Sequence, residues 1–236
     1  MLLKQPECRI QVERIDLRFP LNLLVRGVEV IQQPDTLLSL ESLNVRVQAW
    51  PLLKGKVEVD EVTLSQVAVN SANLIEGMQI KGVLGRFFLQ SHGVDLSNET
   101  AVVNRTELSD THIQLLMTDT TTTPKDTTAS APVNWKVNLH QLKLKNVSFG
   151  MKLPADSMKM AAYIGEATID DAKADLKNQF YGLKQFLLSG ASASYDTGEA
   201  QPSEGFDASH MAVRNIRIGL DSLLYEGRNM NAVIRE

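Results

Sequence analysis

Apolar and polar residues alternate along much of this chain, but the alternation slips at intervals. Leu43, Val45, Val47 and Ala49 alternate with Asn44, Arg46, Gln48 and Trp50, the period of a strand with one apolar face. From Val57 the pattern changes. Val57 and Val59, Val62 and Leu64, and Val67 and Val69 form alternating pairs separated by three-residue steps. A regular strand reverses its face at each such step, so the stretch predicts a bulge, a bend or apolar groups on both faces. The same spacing returns in Val137, Leu139, Leu142, Leu144, Val147 and Phe149. Shorter copies lie at Ile10, Val12, Ile15 and Leu17 and at Met211, Val213, Ile216 and Ile218, where Asp221 breaks the next pair. This recurrence predicts a repeated supersecondary unit.

Between these runs, Gly, Pro, Asp and Asn mark turns. Gly27 coincides with a change of parity before Val28 and Val30, and residues 32–36, QQPDT, predict a turn. Residues 51–55, PLLKG, predict a turn or a single helical turn, and AKADLKNQ at 172–179 fits either a slipped strand or a short helix. Residues 118–132, TDTTTTPKDTTASAP, contain no large apolar group and predict a solvated connector or hairpin tip. They separate a first β-repeat unit, 1–117, from a second, 133–236. No long amphipathic helix alternates with the strands, which disfavours a doubly wound α/β fold. The expected fold is mainly β: bulged, curved antiparallel sheets with tandem-repeat character, open groove or taco-like, with few short helices.

Composition narrows the chemistry. A net charge of −4 with no dense basic run argues against a nucleic-acid partner, and 6% aromatic residues leave little for base stacking. Cys8 is the sole cysteine and reads as a local thiol. No run approaches the ~18–20 apolar residues of a membrane span, and the first residues lack the apolar core of a signal peptide. His92, His112, His140 and His210 show no metal-binding spacing and read as half-exposed sheet residues. Asp170 and Asp171 are adjacent, so on a regular strand they point oppositely and do not form an acid and base pair. No nucleophile elbow or phosphate loop is present, and three Asn-x-Ser/Thr triplets are weak signals. The expectation is a non-enzyme with neither metal nor cofactor.

What remains is apolar surface spread along many thin strands. It either packs as the core of a sandwich or, in a curved sheet, lines a trough suited to acyl chains, where each methylene removed from water contributes about 0.8 kcal/mol. Leu43, Val45, Val47, Val57, Val59, Val137 and Leu139 are the candidate residues of that groove or core.

The stretch FPLNLLVRGVEVIQQPDTLLSLESLNVRVQAWPLLKGKVEVDEVTLSQVAVN, residues 19–70, resembles the amino-terminal region of AsmA-like proteins, in particular the TamB-like translocation and assembly proteins of Bacteroidetes. The resemblance rests on the strand around Gly27 to Val30, the strand Leu43 to Val47, the PLL-x-G corner and the run Val57 to Val69. It fades through 71–117 and returns as repeat character at 133–153 and 211–224. It implies a periplasmic segment of a longer protein anchored in the inner membrane, with the anchor outside this sequence. It further implies phospholipid acyl chains as cargo, an outer-membrane assembly protein as a partner through regions not included here, and no catalytic residue. The alternative is a structural or protein-binding β-sandwich scaffold, and a lipid-acting enzyme comes last.

Overall fold

A computed structural model of the chain describes residues 8–19, 21–52, 58–72, 74–75, 77–95, 98–117, 134–154, 157–198, 204–227 and 229–235. Twelve strands form one sheet. They are β1 (Cys8–Arg18), β2 (Asn22–Gln32), β3 (Asp35–Val47), β4 (Val59–Asn70), β5 (Met78–Asp95), β6 (Thr100–Met117), β7 (Lys136–Leu153), β8 (Met158–Asp175), β9 (Phe180–Leu183), β10 (Gln185–Asp196), β11 (His210–Glu226) and β12 (Asn229–Ile234). The order is β1-β2-β3-β4-β5-β6-β7-β8-β10-β11-β12, and β9 pairs with β8 and β11. Apart from β9 and β10, consecutive strands are neighbours in the sheet. Eleven strand positions at about 4.8 Å make the sheet about 50 Å wide, and its 18-residue strands are about 60 Å long.

This architecture corrects the expected fold in two respects. There is one mixed sheet rather than several antiparallel ones, because β6 and β7 run parallel. A parallel pair requires a crossover instead of a hairpin, and the predicted Thr-rich connector, 118–132, lies outside the described residues. In place of the few short helices expected, the described residues contain one four-residue helical turn, α1 (Ala49–Leu52), after β3. The candidate helix at 172–179 finishes β8 and then turns over Leu176–Gln179. Ala172 and Ala174 are held opposite Leu139 and Val137 of β7, and this tertiary pairing overrides a local helix preference.

One set of the three-residue steps has a common cause. Gly27, Gln66, Asp110, Asn146, Gly190 and Asn215 all take φ between +49° and +62°. Each is the second residue inside a step, as with Gln66 between Leu64 and Val67 or Asn146 between Leu144 and Val147. The positions align from strand to strand: Val12 pairs with Val28 and Arg14 with Arg26, placing Glu13 opposite Gly27. The same reading places Gln66 opposite Gly85, Gly85 opposite Asp110 and Asp110 opposite Asn146. Both strands of each pair slip together, so apolar residues on either side of the line stay on one face. The set of predicted steps that contains Gln66 and Asn146 is therefore one irregularity running across the sheet.

Left-handed backbone explains why Gly and Asn dominate these positions. Asn146 also donates from Nδ2 to Asp110 Oδ1 at 2.7 Å, on the surface. Asn146→Val is expected to lower unfolding stability by about 1–2 kcal/mol, the cost of a β-branched residue at positive φ. Asn146→Gly should stay within about 0.5 kcal/mol of the parent, because easier backbone geometry offsets the lost surface hydrogen bond. Urea unfolding of the two variants checks the contrast.

Candidate functional site

Cross-strand register carries apolar rows over the whole sheet. One runs Ile15, Val25, Leu43, Leu64, Phe87, Leu108, Leu144, Ala167, Leu188, Ile218, from β1 to β11. A second runs Leu17, Leu23, Val45, Val62, Leu89, then through Thr106 to Leu142, Ile169, Phe186, Leu220 and Ile234. Val47 lies opposite Val59, Leu139 between Val103 and Ala172, and Val137 between Ala101 and Ala174. Leu43, Val45, Val47, Val59, Val137 and Leu139 thus share one face, while Val57 lies outside the described residues. The β3–β4 group and the β7 group do not touch each other. They are joined through β5 and β6, whose Phe87, Leu89 and Leu108 were not singled out from sequence. The signal was present, since Leu108 and Thr111 flank the same step, but a threonine masks the apolar spacing.

Nothing covers this face among the described residues. The only apolar residues buried there are Ala167 and Ala191, and no large side chain is fully enclosed. The row residues are half-buried by their neighbours in the sheet, and toward the edges Ile10, Leu17 and Ile234 are 68%, 72% and 73% exposed. A sheet with one apolar face ordinarily buries it against a second layer. Exposed apolar area on this scale marks an interaction surface. Two buried hydroxyls are satisfied internally: Ser91 Oγ donates to the Val59 carbonyl, and Thr111 Oγ1 to the Ser109 carbonyl at 3.2 Å.

Polar groups gather at a second set of steps and pair across strands. Arg46 reaches Asp60 at 3.1 Å and Glu61 at 2.9 Å, and Arg235 reaches Asp221 at 2.8 Å. His140 meets Asp171 at 3.1 Å, with Lys184 3.5 Å from the other carboxylate oxygen. Asp171 has φ +51°, so the adjacent pair does not follow regular alternation: Gln141 donates to Asp170 at 3.2 Å while Asp171 engages His140. The His140 hydrogen bond, followed by the Lys184 charge, outweighs desolvation and holds Asp171 below its ordinary pKa of 3.8. At Asp175 desolvation raises the pKa, but hydrogen bonds from Asn178 and Lys136 together leave it lowered.

A depressed carboxylate pKa stabilises the fold above the unfolded value, and that contribution is lost as pH falls through the folded value. Stability is therefore expected to decline below about pH 4. NMR titration should place the Asp171 midpoint below 3.8, and His140→Ala should move it upward. An unchanged midpoint in that variant would remove His140 as the cause.

The remaining polar clusters have restricted chemistry. His210 directs Nδ1 to Asp207 at 2.9 Å and Nε2 toward Asp196 at 3.6 Å, so its two carboxylates lie on opposite sides of the ring. Gln114 donates to His112 Nε2 at 2.8 Å, which leaves the His112 Nδ1–H donating to Ser148 Oγ. In that arrangement His112 is not placed to take the Ser148 proton. Among the described residues, no group of three or more His, Cys, Asp or Glu side chains is arranged to hold a metal ion. His140, Asp171 and Lys184 border a second, open hollow of about 630 Å³. No helix among the described residues is long and apolar enough to cross a membrane.

No family model matches the chain, and no curated protein matches it.

Proposed function

We propose that this chain is a non-catalytic β scaffold whose uncovered apolar face binds a protein partner. The observation that carries this reading is the single layer itself: apolar rows cross the sheet from β1 to β11 with no second layer over them among the described residues. Such a face lowers its free energy by about 25 cal/mol for each Å² it loses to a covering apolar surface. Among the described residues the sheet also ends in two unpaired edges, β1 and β12, which offer backbone donors and acceptors to further strands. The sandwich form of the scaffold is replaced here by an open layer.

A second reading has phospholipid acyl chains as the occupant, in a periplasmic segment of a membrane-anchored parent. It draws on the continuity of the rows, since a hydrocarbon chain needs apolar contact along its length and no fixed polar partner. The resemblance of residues 19–70 to AsmA-like proteins adds to it. Native mass spectrometry of the chain purified from cell membranes separates the two readings. A bound polypeptide without lipid fits the protein scaffold. Retained phospholipid, together with labelling of the apolar face by a photoreactive acyl probe, fits the second reading and overturns the first.

A further inference from the structure

The face opposite the apolar rows carries a separate hollow of about 910 Å³ spanning β5 to β11. Its floor is made of small residues, Gly150, Ala161, Ser192, Ser194 and Ala212, which the strand alternation places on the side away from Phe149, Ala162 and Val213. A Cβ added at Gly150 would meet nothing within 4 Å, so the space above it is open.

Four cations line this hollow: Lys81, Lys152, Lys159 and Arg214. Asp196 is the sole carboxylate among the described residues that line it, in a chain whose overall charge is −4. None of the four cations has an ion-pair partner among the described residues. Lys152 and Lys159 sit directly opposite each other on adjacent strands, an arrangement that repels unless an anion lies between them. Lys159 also faces Asp196, but that carboxylate accepts the Gly198 N–H at 2.7 Å and lies 3.6 Å from His210. With the His112 Nδ1–H donated to Ser148 Oγ, the serine hydroxyl proton is left to point elsewhere, and Ser148 borders the same hollow.

We infer that this hollow binds a ligand bearing phosphate groups. Lysine ammoniums supply point charges, the Arg214 fork supplies paired donors, and hydroxyls fill between them, a donor set that suits phosphate oxygens. Lys81 and Arg214 stand five strand spacings apart, about 24 Å, so the ligand carries more than one anionic group. A soluble polyphosphate and a cluster of phospholipid headgroups share this chemistry.

The test titrates the intact chain with sodium tripolyphosphate by calorimetry and, in parallel, sediments it with vesicles of phosphatidylglycerol or of phosphatidylcholine alone. Saturable binding to tripolyphosphate assigns a free anion. Binding to phosphatidylglycerol but not phosphatidylcholine vesicles, without tripolyphosphate binding, assigns headgroups. In either case Lys152→Gln with Lys159→Gln should weaken binding about tenfold or more, and raised salt should weaken it further. Gly150→Phe, which fills open space, should block binding while leaving the circular dichroism spectrum unchanged. The inference is overturned by no binding in both arms, or by binding that either variant leaves intact.

Discussion

Gly85→Ala should unfold about 2 kcal/mol more readily than the parent chain, the typical cost of adding a methyl group where none fits. Gly85 is buried and sits on the aligned line of backbone steps, opposite Asp110. A Cβ at position 85 would lie 2.7 Å from the Asp110 Cβ and 3.0 Å from its carbonyl oxygen. Neither atom is the free end of a flexible side chain, so β6 itself must shift. For a chain of this length the change corresponds to a fall of about 4–8 °C in the thermal midpoint. Asp110→Gly removes the nearer of the two atoms and suits the φ of +52° at that position. Adding it to Gly85→Ala should therefore restore part of the loss, a non-additivity that a double-mutant cycle reads directly. Full additivity of the two substitutions would mean that the strands do not approach each other at this line.

Leu43→Asp should have the opposite profile, a small effect on stability and a large one on binding. Leu43 is half-buried between Val25 and Leu64 in the middle of the apolar face. In the sealed core of a sandwich an unpaired carboxylate would cost several kcal/mol. On an uncovered face it remains hydrated, so the expected cost is about 1 kcal/mol, from lost contact with the two neighbours. A partner or acyl chain laid over the same position would have to dehydrate the charge, so binding should weaken about 100-fold, or about 3 kcal/mol. Thr168→Asp supplies the control, since it lies on the other face opposite Lys143 and should alter neither property appreciably. A loss of several kcal/mol in Leu43→Asp would indicate a covered core.

The sequence pattern reached the strands and their shared apolar face through local alternation, which depends only on which residues neighbour each other along the chain. It also located the three-residue steps at Val57 to Val69 and Val137 to Phe149. Alternation does not specify what happens within a step, and it left open a bulge, a bend or two apolar faces. The resolution came from residues that look unremarkable in sequence, such as Gln66 and Asp110 at positive φ. Gly27, with its change of parity, was the legible part of that line. The parallel pairing of β6 with β7 was illegible, because partner choice between distant strands is non-local. The backbone at Asp171 was illegible for a related reason: adjacent carboxylates point oppositely only where the strand is regular, and here the second one is left-handed. The absence of a covering layer among the described residues was equally inaccessible, because a half-buried valine and a fully packed one have the same alternation.

The most direct measurement places a photo-crosslinking residue at Val45 or Leu139 on the apolar face and, separately, at Arg46 or Lys143 on the other face, in cells that make the protein. Adducts to one class of partner from Val45 and Leu139, with none from Arg46 and Lys143, are expected if the uncovered face is the binding surface. Equal adducts from both faces, or none from Val45 and Leu139, would contradict it.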